Sequence, residues 1–558
     1  MKIPFAVLLT FLVTFIESNA QTNFVKITDV APVTELIVGT GCAWVDYDQD
    51  GYVDLFVADF DGNNHLYHNE RNGTFVAVTN GTIVNEGASE SYGVAWGDFD
   101  NDGYPDLFVS NGYDSGKTNF LYRNNGNGTF TKITSGPIVE VSGHFTGCAW
   151  ADYDRDGFLD LFVANDPSGA SVLYHNEGGS TFSRVGSAPT AISDAVGVAW
   201  ADFNKDGWPD LFVANGFSSA SSTLNFLYAN QGGGTFQRVL APSFSSANLH
   251  SVGVAWGDYD NDGFPDVFVT NIAAEPGKNE LYHNNGNGTF TRVTTGSIYT
   301  DQSGSVSASW GDYDNDGWLD LFVGNRNTSG GTATNGFLYH NNGNGTFTRI
   351  TNGPIAELQI STGGCGWGDY DNDGFLDLFV SDFRATGSAL FHNTGNSNHW
   401  LKVKCEGTAS NRSGIGARVR VKATSAGKTF WQLREITSGD GFGNSALIAH
   451  FGLGDATNID TVRIEWPSGT VQEMSNVTAS QFLTVTEPAA LKVPAILADR
   501  SFQFSLIGGV GFRYDLQTSD DLVSWAAWKT LTCTNRTMTV TDTTVIIGSK
   551  RFYRAVKR

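Results

Sequence analysis

"WGDYDNDGFLDLFV", residues 367–380, packs Asp369, Asp371, Asp373 and Asp377 into nine positions, sets a glycine among them and runs straight into apolar residues. Carboxylates that close repel one another unless something positive lies between them. Near-copies begin at Asp46, Asp98, Asp152, Asp202, Asp258 and Asp312, at intervals of 52, 54, 50, 56, 54 and, up to Asp369, 57 residues. A period of this size marks a repeat architecture.

Each unit reads alike. A short strand ends in a tryptophan two residues before the acidic loop: Trp44, Trp96, Trp150, Trp200, Trp256, Trp310 and Trp367. After the loop come a "DLFVAN"-like strand, a variable loop, a "FLYHNN"-like strand, a glycine turn and a "TFTRV"-like strand. Four strands with turn chemistry between them describe a propeller blade. Seven blades close a ring, which leaves few sheet edges exposed. The seventh unit stops at "ALFHNTGNSN" without its last strand, and "NFVKITD" at 23–29 resembles that missing strand. The reading predicts an all-β chain, a seven-bladed β-propeller followed by two smaller β-rich, sandwich-like domains. Alternating runs such as "ARVRVKA" and "TVRIEW" in the later part independently indicate strands.

The predicted boundaries are a signal peptide at 1–20, the propeller at 21–396, a second domain at 397–487, a linker at 488–500 and a small β module at 501–558. Lys2, the apolar run Phe5 to Ile16 and the Ser18-Asn19-Ala20 site make the signal, with cleavage before Gln21. No other apolar run is long enough to span a bilayer, so the mature chain is expected without a transmembrane span. The expected place is outside the cytoplasm: secreted or at the cell surface, the periplasm being the Gram-negative alternative. A net charge of −24 disfavours nucleic acid and anionic membranes as partners. The five cysteines lack disulfide-framework spacing; a Cys42–Cys365 pair across neighbouring repeats is the less favoured alternative to small buried thiols.

The loop pattern is D-x-[DN]-x-D-G-x-x-D. Calcium takes six to eight oxygens in a flexible shell. Positions 1, 3, 5 and 9 offer side-chain oxygens, position 7 a backbone carbonyl, and glycine at position 6 the sharp turn. The candidate ligands are Asp46, Asp48, Asp50, Tyr52 and Asp54; Asp98, Asp100, Asp102, Tyr104 and Asp106; Asp152, Asp154, Asp156, Phe158 and Asp160; Asp202, Asn204, Asp206, Trp208 and Asp210; Asp258, Asp260, Asp262, Phe264 and Asp266; Asp312, Asp314, Asp316, Trp318 and Asp320; and Asp369, Asp371, Asp373, Phe375 and Asp377. Up to seven structural calcium ions are expected. Magnesium demands stricter geometry, and zinc would want His or Cys within the loop. Asn204 and Lys205 cut the charge of the fourth loop, which should bind most weakly. An isolated loop would read as turn chemistry alone; seven copies of the whole set do not.

"VAWGDYDNDGFPDVFVTN" with "LYHNNGNGTFTRV" resembles the FG-GAP/VCBS repeat of integrin α-type propellers, over about residues 23–396. That resemblance implies a seven-bladed propeller with calcium in these loops on its lower face. "NRSGIGARVRV" and "WQLREITSGDGFGNSALIAHFGLGDATNIDTVRIEWPSGTVQEM" resemble the ASPIC/UnbV domain, over about 398–487. Neither family implies a reaction.

No nucleophile, zinc or phosphate-loop motif stands out. His68, His175, His283, His340 and His392 share one repeat position, which favours a structural role, and His450 is read as packing. The acidic loop and the glycine turn fall on one face of the ring. The loops of unequal length fall on the other, starting at Asp59, Asn111, Asn165, Asn215, Asn271, Asn325 and Asp382, themselves read as turn caps. Binding commonly sits on variable loops held by a rigid scaffold. The functional expectation is a non-enzymatic extracellular binding or adhesion module for a glycan or protein. The alternative is a carbohydrate-active enzyme such as a polysaccharide lyase, which needs non-repeating charged residues gathered in one groove.

Overall fold

The computed structural model describes residues 23–558 apart from 113–116, 167–168, 187–188, 191, 193, 217–223, 241–243, 245–249, 273–276, 327–333, 440–441, 445, 498–500, 510–511, 535–536 and 545–550. The signal segment 1–20 and parts of the variable loops lie outside the described residues. No helix among the described residues is long and apolar enough to cross a membrane.

Seven antiparallel sheets make the propeller. The third is typical: Phe145–Ala151, Asp160–Asn165, Val172–Asn176 and Phe182–Arg184 pair in chain order. Its inner two strands are buried along their whole length, since each is covered by the blades on both sides. In the seventh sheet the outermost strand is Phe24–Ile27, paired with Ala389–Asn393 from the far end of the ring.

Three repeated residues explain how blades join. First, the inner strands approach so closely that a side chain is excluded: a Cβ at Gly41 would lie 2.4 Å from the Tyr92 carbonyl oxygen, and one at Gly197 2.1 Å from that of Val252. Second, in five of the blades the repeated tryptophan donates its indole N–H to the preceding blade, while those of Trp96 and Trp256 are buried without a partner. Trp150 reaches the Ala95 carbonyl at 3.1 Å, and Trp44 closes the ring on the Gly366 carbonyl at 3.0 Å. Third, the asparagine ending each third strand donates its amide to the preceding acidic loop, Asn124 to Tyr47 O, Asn176 to Phe99 O and Asn69 to Tyr370 O, at 2.7–2.9 Å. All five cysteines are buried free thiols.

The second domain has a three-stranded sheet built on His399–Glu406 and a four-stranded sheet built on Arg418–Ser425. Their buried Leu401, Val403, Val419, Val421, Phe451 and Val462 form one core with Phe99, Trp150 and Leu159 of the propeller. From this domain Phe442 enters the axial channel and packs with Tyr92, Val196, Val252, Ile272 and Val306 of the inner strands. Its carbonyl accepts from Cys42 N, and Gly443–Asn444 pair in parallel with Cys42–Ala43. The fit needs glycine on both sides: a Cβ at Gly443 would lie 1.7 Å from Cys365 O.

The last domain pairs two three-stranded sheets around Phe504, Leu506, Tyr514, Leu516 and Val540. Within the stretch expected as a linker at 488–500, Ala490–Ile496 is a strand paired with Phe502–Ile507. Pro494 lies within this strand. It falls where the register shifts between Lys492 and Ala495, a bulge that tolerates a residue without an N–H.

Candidate metal centre

The seven acidic loops share one backbone path. Position 4 is left-handed in each, with φ of 57–61° at Gln49, Asn101, Arg155, Lys205, Asn261, Asn315 and Asn372, and the glycine at position 6 follows with positive φ. The side-chain bonds repeat too. The position-1 carboxylate accepts from the glycine N–H, as Asp98 does from Gly103 at 2.7 Å and Asp369 from Gly374 at 3.0 Å. Position 5 accepts from the position-7 N–H, as Asp50 does from Tyr52 and Asp373 from Phe375, both at 2.8 Å. The ring at position 7 lies over the turn between strands three and four; a Cβ on Gly126 would come within 2.5 Å of the Tyr104 ring.

Position 9 opens the next strand and ties the loop down. Asp54, Asp106, Asp160, Asp210, Asp266, Asp320 and Asp377 are all fully or almost fully buried. Each spans two backbone donors: Asp377 accepts from Tyr370 N at 3.1 Å and Asn393 N at 2.8 Å. The same asparagine staples the neighbouring blade, so the loop and the blade contact form one hydrogen-bonded unit.

The carboxylates are held close in a dry environment. Burial, with neighbouring aspartates pushing the same way, raises Asp54 to about 9, Asp160, Asp266 and Asp312 to about 7, and Asp373 to about 6. Asp98, Asp106, Asp258, Asp320 and Asp377 rise well above the ordinary value for the same reasons. The position-1 oxygens Oδ1 of Asp46, Asp258 and Asp369 are buried and accept no hydrogen bond. Loop oxygens with unused buried acceptors fit a hard divalent cation, and the groups that could hold an ion combine two loop aspartates with a repeated histidine, as in Asp48, Asp54 and His68.

One feature of the site escaped the sequence. The repeated histidines point into the loops: Nδ1 of His68, His175, His283, His340 and His392 lies 3.1–3.6 Å from carboxylate oxygens of positions 3 and 9. Nearby carboxylates hold the His175, His283 and His392 imidazoles up at about 9. In blade two Arg123 takes this place, pairing with Asp100 and Asp102, and Ala229 leaves it empty in blade four. The signal was present as a shared repeat position; the distance to the loop was not.

The second domain covers the acidic-loop face. Lys402, almost fully buried, sits 2.6 Å from Asp369 and 2.6 Å from Asn372 Oδ1. Arg418 pairs with Asp202, and Gly452 N donates to Asp312 at 3.0 Å. Asp98 N donates to Ser413 Oγ at 2.8 Å, and Trp318 stacks on Phe430. His450 is wholly buried with Nε2 3.0 Å from Gly374 O, and burial lowers it to about 3, so it packs as a neutral ring. On the opposite face the cap residues behave as turn caps: Asp59 accepts from Asp61 N and Gly62 N, and Asn111 donates to Thr118 O.

Both parts of the chain match known families. Six stretches between residues 46 and 380 match the FG-GAP-like repeat, and residues 407–492 match the ASPIC and UnbV domain. Cartilage acidic protein 1 of Homo sapiens is 26% identical over 87% of this chain and 78% of its own length. The Mus musculus protein of that name is 26% identical over 77% and 70%. Among solved structures, BBS1N in complex with ARL6DN aligns with 67% of this chain and 98% of its own at 14% identity, with a TM-score of 0.40.

Proposed function

The chain belongs to the FG-GAP-like repeat family, and we propose that it is a secreted, calcium-stabilised propeller that binds an extracellular glycan or protein through the rim opposite its acidic loops. The observation that carries this reading is the blocked lower face. The second domain lies across the acidic loops and sends Phe442 into the channel, so among the described residues the propeller face left uncovered is the one with loops of unequal length. The acidic loops themselves act as staples. Metal held by a folded loop and not by the unfolded chain is folding free energy, and seven such loops would brace a ring against opening. Oxygen-only donors at positions 1, 3, 5, 7 and 9 support calcium as that metal. Similarity to cartilage acidic protein 1 and the leader-like start support an extracellular site of action.

The test has two stages. Chelator-treated protein is titrated with calcium while its melting temperature is followed; uptake of several ions and a large upward shift are expected. The calcium-loaded protein is then applied to arrays of glycans and extracellular proteins, with and without chelator. Binding lost on chelation and on substitution of rim residues supports the reading. Absence of calcium uptake, or binding retained by rim variants, overturns it.

A further inference from the structure

The seven loops are of two kinds, and the difference lies outside the acidic positions. Strand three carries a histidine in five blades, at His68, His175, His283, His340 and His392, while blade two has Arg123 there and blade four Ala229. A second position divides the blades in the same way. Loop position 2 is tyrosine in those five, at Tyr47, Tyr153, Tyr259, Tyr313 and Tyr370, and phenylalanine, Phe99 and Phe203, in the other two. The two positions meet. Each tyrosine ring lies edge-on to the histidine of its own blade, with centroids 5.9–6.4 Å apart. The imidazole is thereby held alike in all five, with Nδ1 toward the carboxylates of positions 3 and 9.

The spacing is that of donors around one ion. Adjacent ligand atoms bound at about 2.1 Å stand roughly 3.0–3.5 Å apart, and Nδ1 lies 3.1–3.6 Å from those oxygens. Asp48, Asp54 and His68 offer three donor atoms within 4.8 Å of one another, as do Asp314, Asp320 and His340. Hydrogen bonding does not explain the approach in every blade. Nδ1 of His68 and of His340 is buried 3.2 Å from the position-9 oxygen and has no hydrogen-bond partner. The loops also keep unused oxygens: Oδ1 of Asp258 and of Asp369, in side chains more than nine-tenths buried, accepts no hydrogen bond. In blade two Arg123 pairs with Asp100 and Asp102, supplying a charge where the other blades supply a lone pair.

We propose that these five loops are mixed nitrogen–oxygen sites that accept zinc in place of calcium, with histidine Nδ1 as an added ligand, while loops two and four stay oxygen-only. Calcium takes oxygen donors, whereas imidazole suits zinc and its first-row neighbours. The loop itself has no histidine; the fold brings one from strand three. With Nδ1 on the metal, the Nε2 proton needs an acceptor. The five histidine side chains are 18–28% exposed, which leaves water to take it. The inference rests on the loops being metal sites, as proposed above, and assigns a preferred ion to five of them.

The test titrates chelator-treated, full-length protein with zinc chloride by calorimetry, in parallel with calcium and in competition with it. X-ray absorption at the zinc edge then reads bound imidazole directly. His283→Ala takes the residue that blade four already carries, and Arg123→His places the donor beside the complete acidic set of loop two; thermal melting verifies that both variants fold. Five zinc ions bound at least tenfold more tightly than calcium, with imidazole scattering, support the proposal, as do four in His283→Ala and six in Arg123→His. Zinc bound no more tightly than calcium, an absorption spectrum without imidazole, or a zinc count unchanged in both folded variants overturns it. The calcium titration separates this result from the calcium reading: calcium taken up without a zinc preference removes only the zinc sites, and five zinc ions bound without calcium uptake remove only the calcium staple.

Discussion

Phe442 of the second domain lies with its ring 5.7 Å from that of Tyr92 in the second blade, inside the channel on the propeller axis. One side chain thus touches inner strands from several blades and belongs to none of them. Phe442→Ala should lower stability by about 3–5 kcal/mol, the usual cost of emptying a buried aromatic site. Phe442→Leu should keep most of it. Thermal unfolding of calcium-loaded protein reads the difference; an alanine variant that melts with the parent would show that the axis does not need the plug.

The calcium-free protein should lose stability as pH rises. Asp160, Asp266 and Asp312 have folded pKa values of about 7, above the ordinary carboxylate value, so the folded state holds more protons than the unfolded one from about pH 4 to 7. His175, His283 and His392, at about 9, act with the same sign from about 6.5 to 9. Stability therefore falls with pH across both windows. Chelated protein is expected to melt higher at pH 5 than at pH 8, and calcium at pH 8 should restore the loss. A flat or rising profile would mean that the loops are not a reservoir of strained carboxylates.

Much of this construction was legible in the chain because the repeat writes the same constraint seven times. Trp150 and Asn176 each answer to a neighbouring blade, and a tryptophan and an asparagine stand at these positions in all seven copies; the glycine of Gly147 recurs in six, with Ser307 in blade six. Contacts made once were not legible. Gly443 needs to be glycine because of Cys365 O, which is in another domain and dozens of residues away. His392 looked like a strand residue until its distance from Asp377, 3.1 Å, was known. Arg155 donates to the Pro467 carbonyl of the second domain, a partner that no spacing encodes.

The fourth loop offers a gain-of-function check. Asn204 stands where the other six loops have aspartate, and its Nδ2 donates to Asp206 at 3.0 Å, using up a carboxylate oxygen beside the loop. Asn204→Asp should add a full charge to the donor set and raise calcium affinity at that loop by roughly tenfold, about 1.4 kcal/mol. Calorimetric titration should show the weakest class of sites disappear. Unchanged binding isotherms would mean that the loops are not calcium ligands or that the fourth one is idle.

Besides the Trp44 and Asn69 bonds to blade seven, the ring is closed by a four-residue strand. Phe24–Ile27 is the outer strand of the seventh sheet, and Phe24 pairs with Asn393 while its buried ring lies 5.6 Å from Tyr313 and 6.1 Å from Trp367. Those rings belong to blades six and seven, so the side chain fastens the start of the chain to both. Val25, on the other side of the strand, is 51% exposed. Phe24→Ala should cost about 3–5 kcal/mol, while Val25→Ala should stay within about 0.5 kcal/mol. Because an opened ring frees the seventh and first blades together, the Phe24 variant should also be cut sooner by protease near Asn393. Equal melting and equal proteolysis of the two variants would show that the ring holds without its clasp.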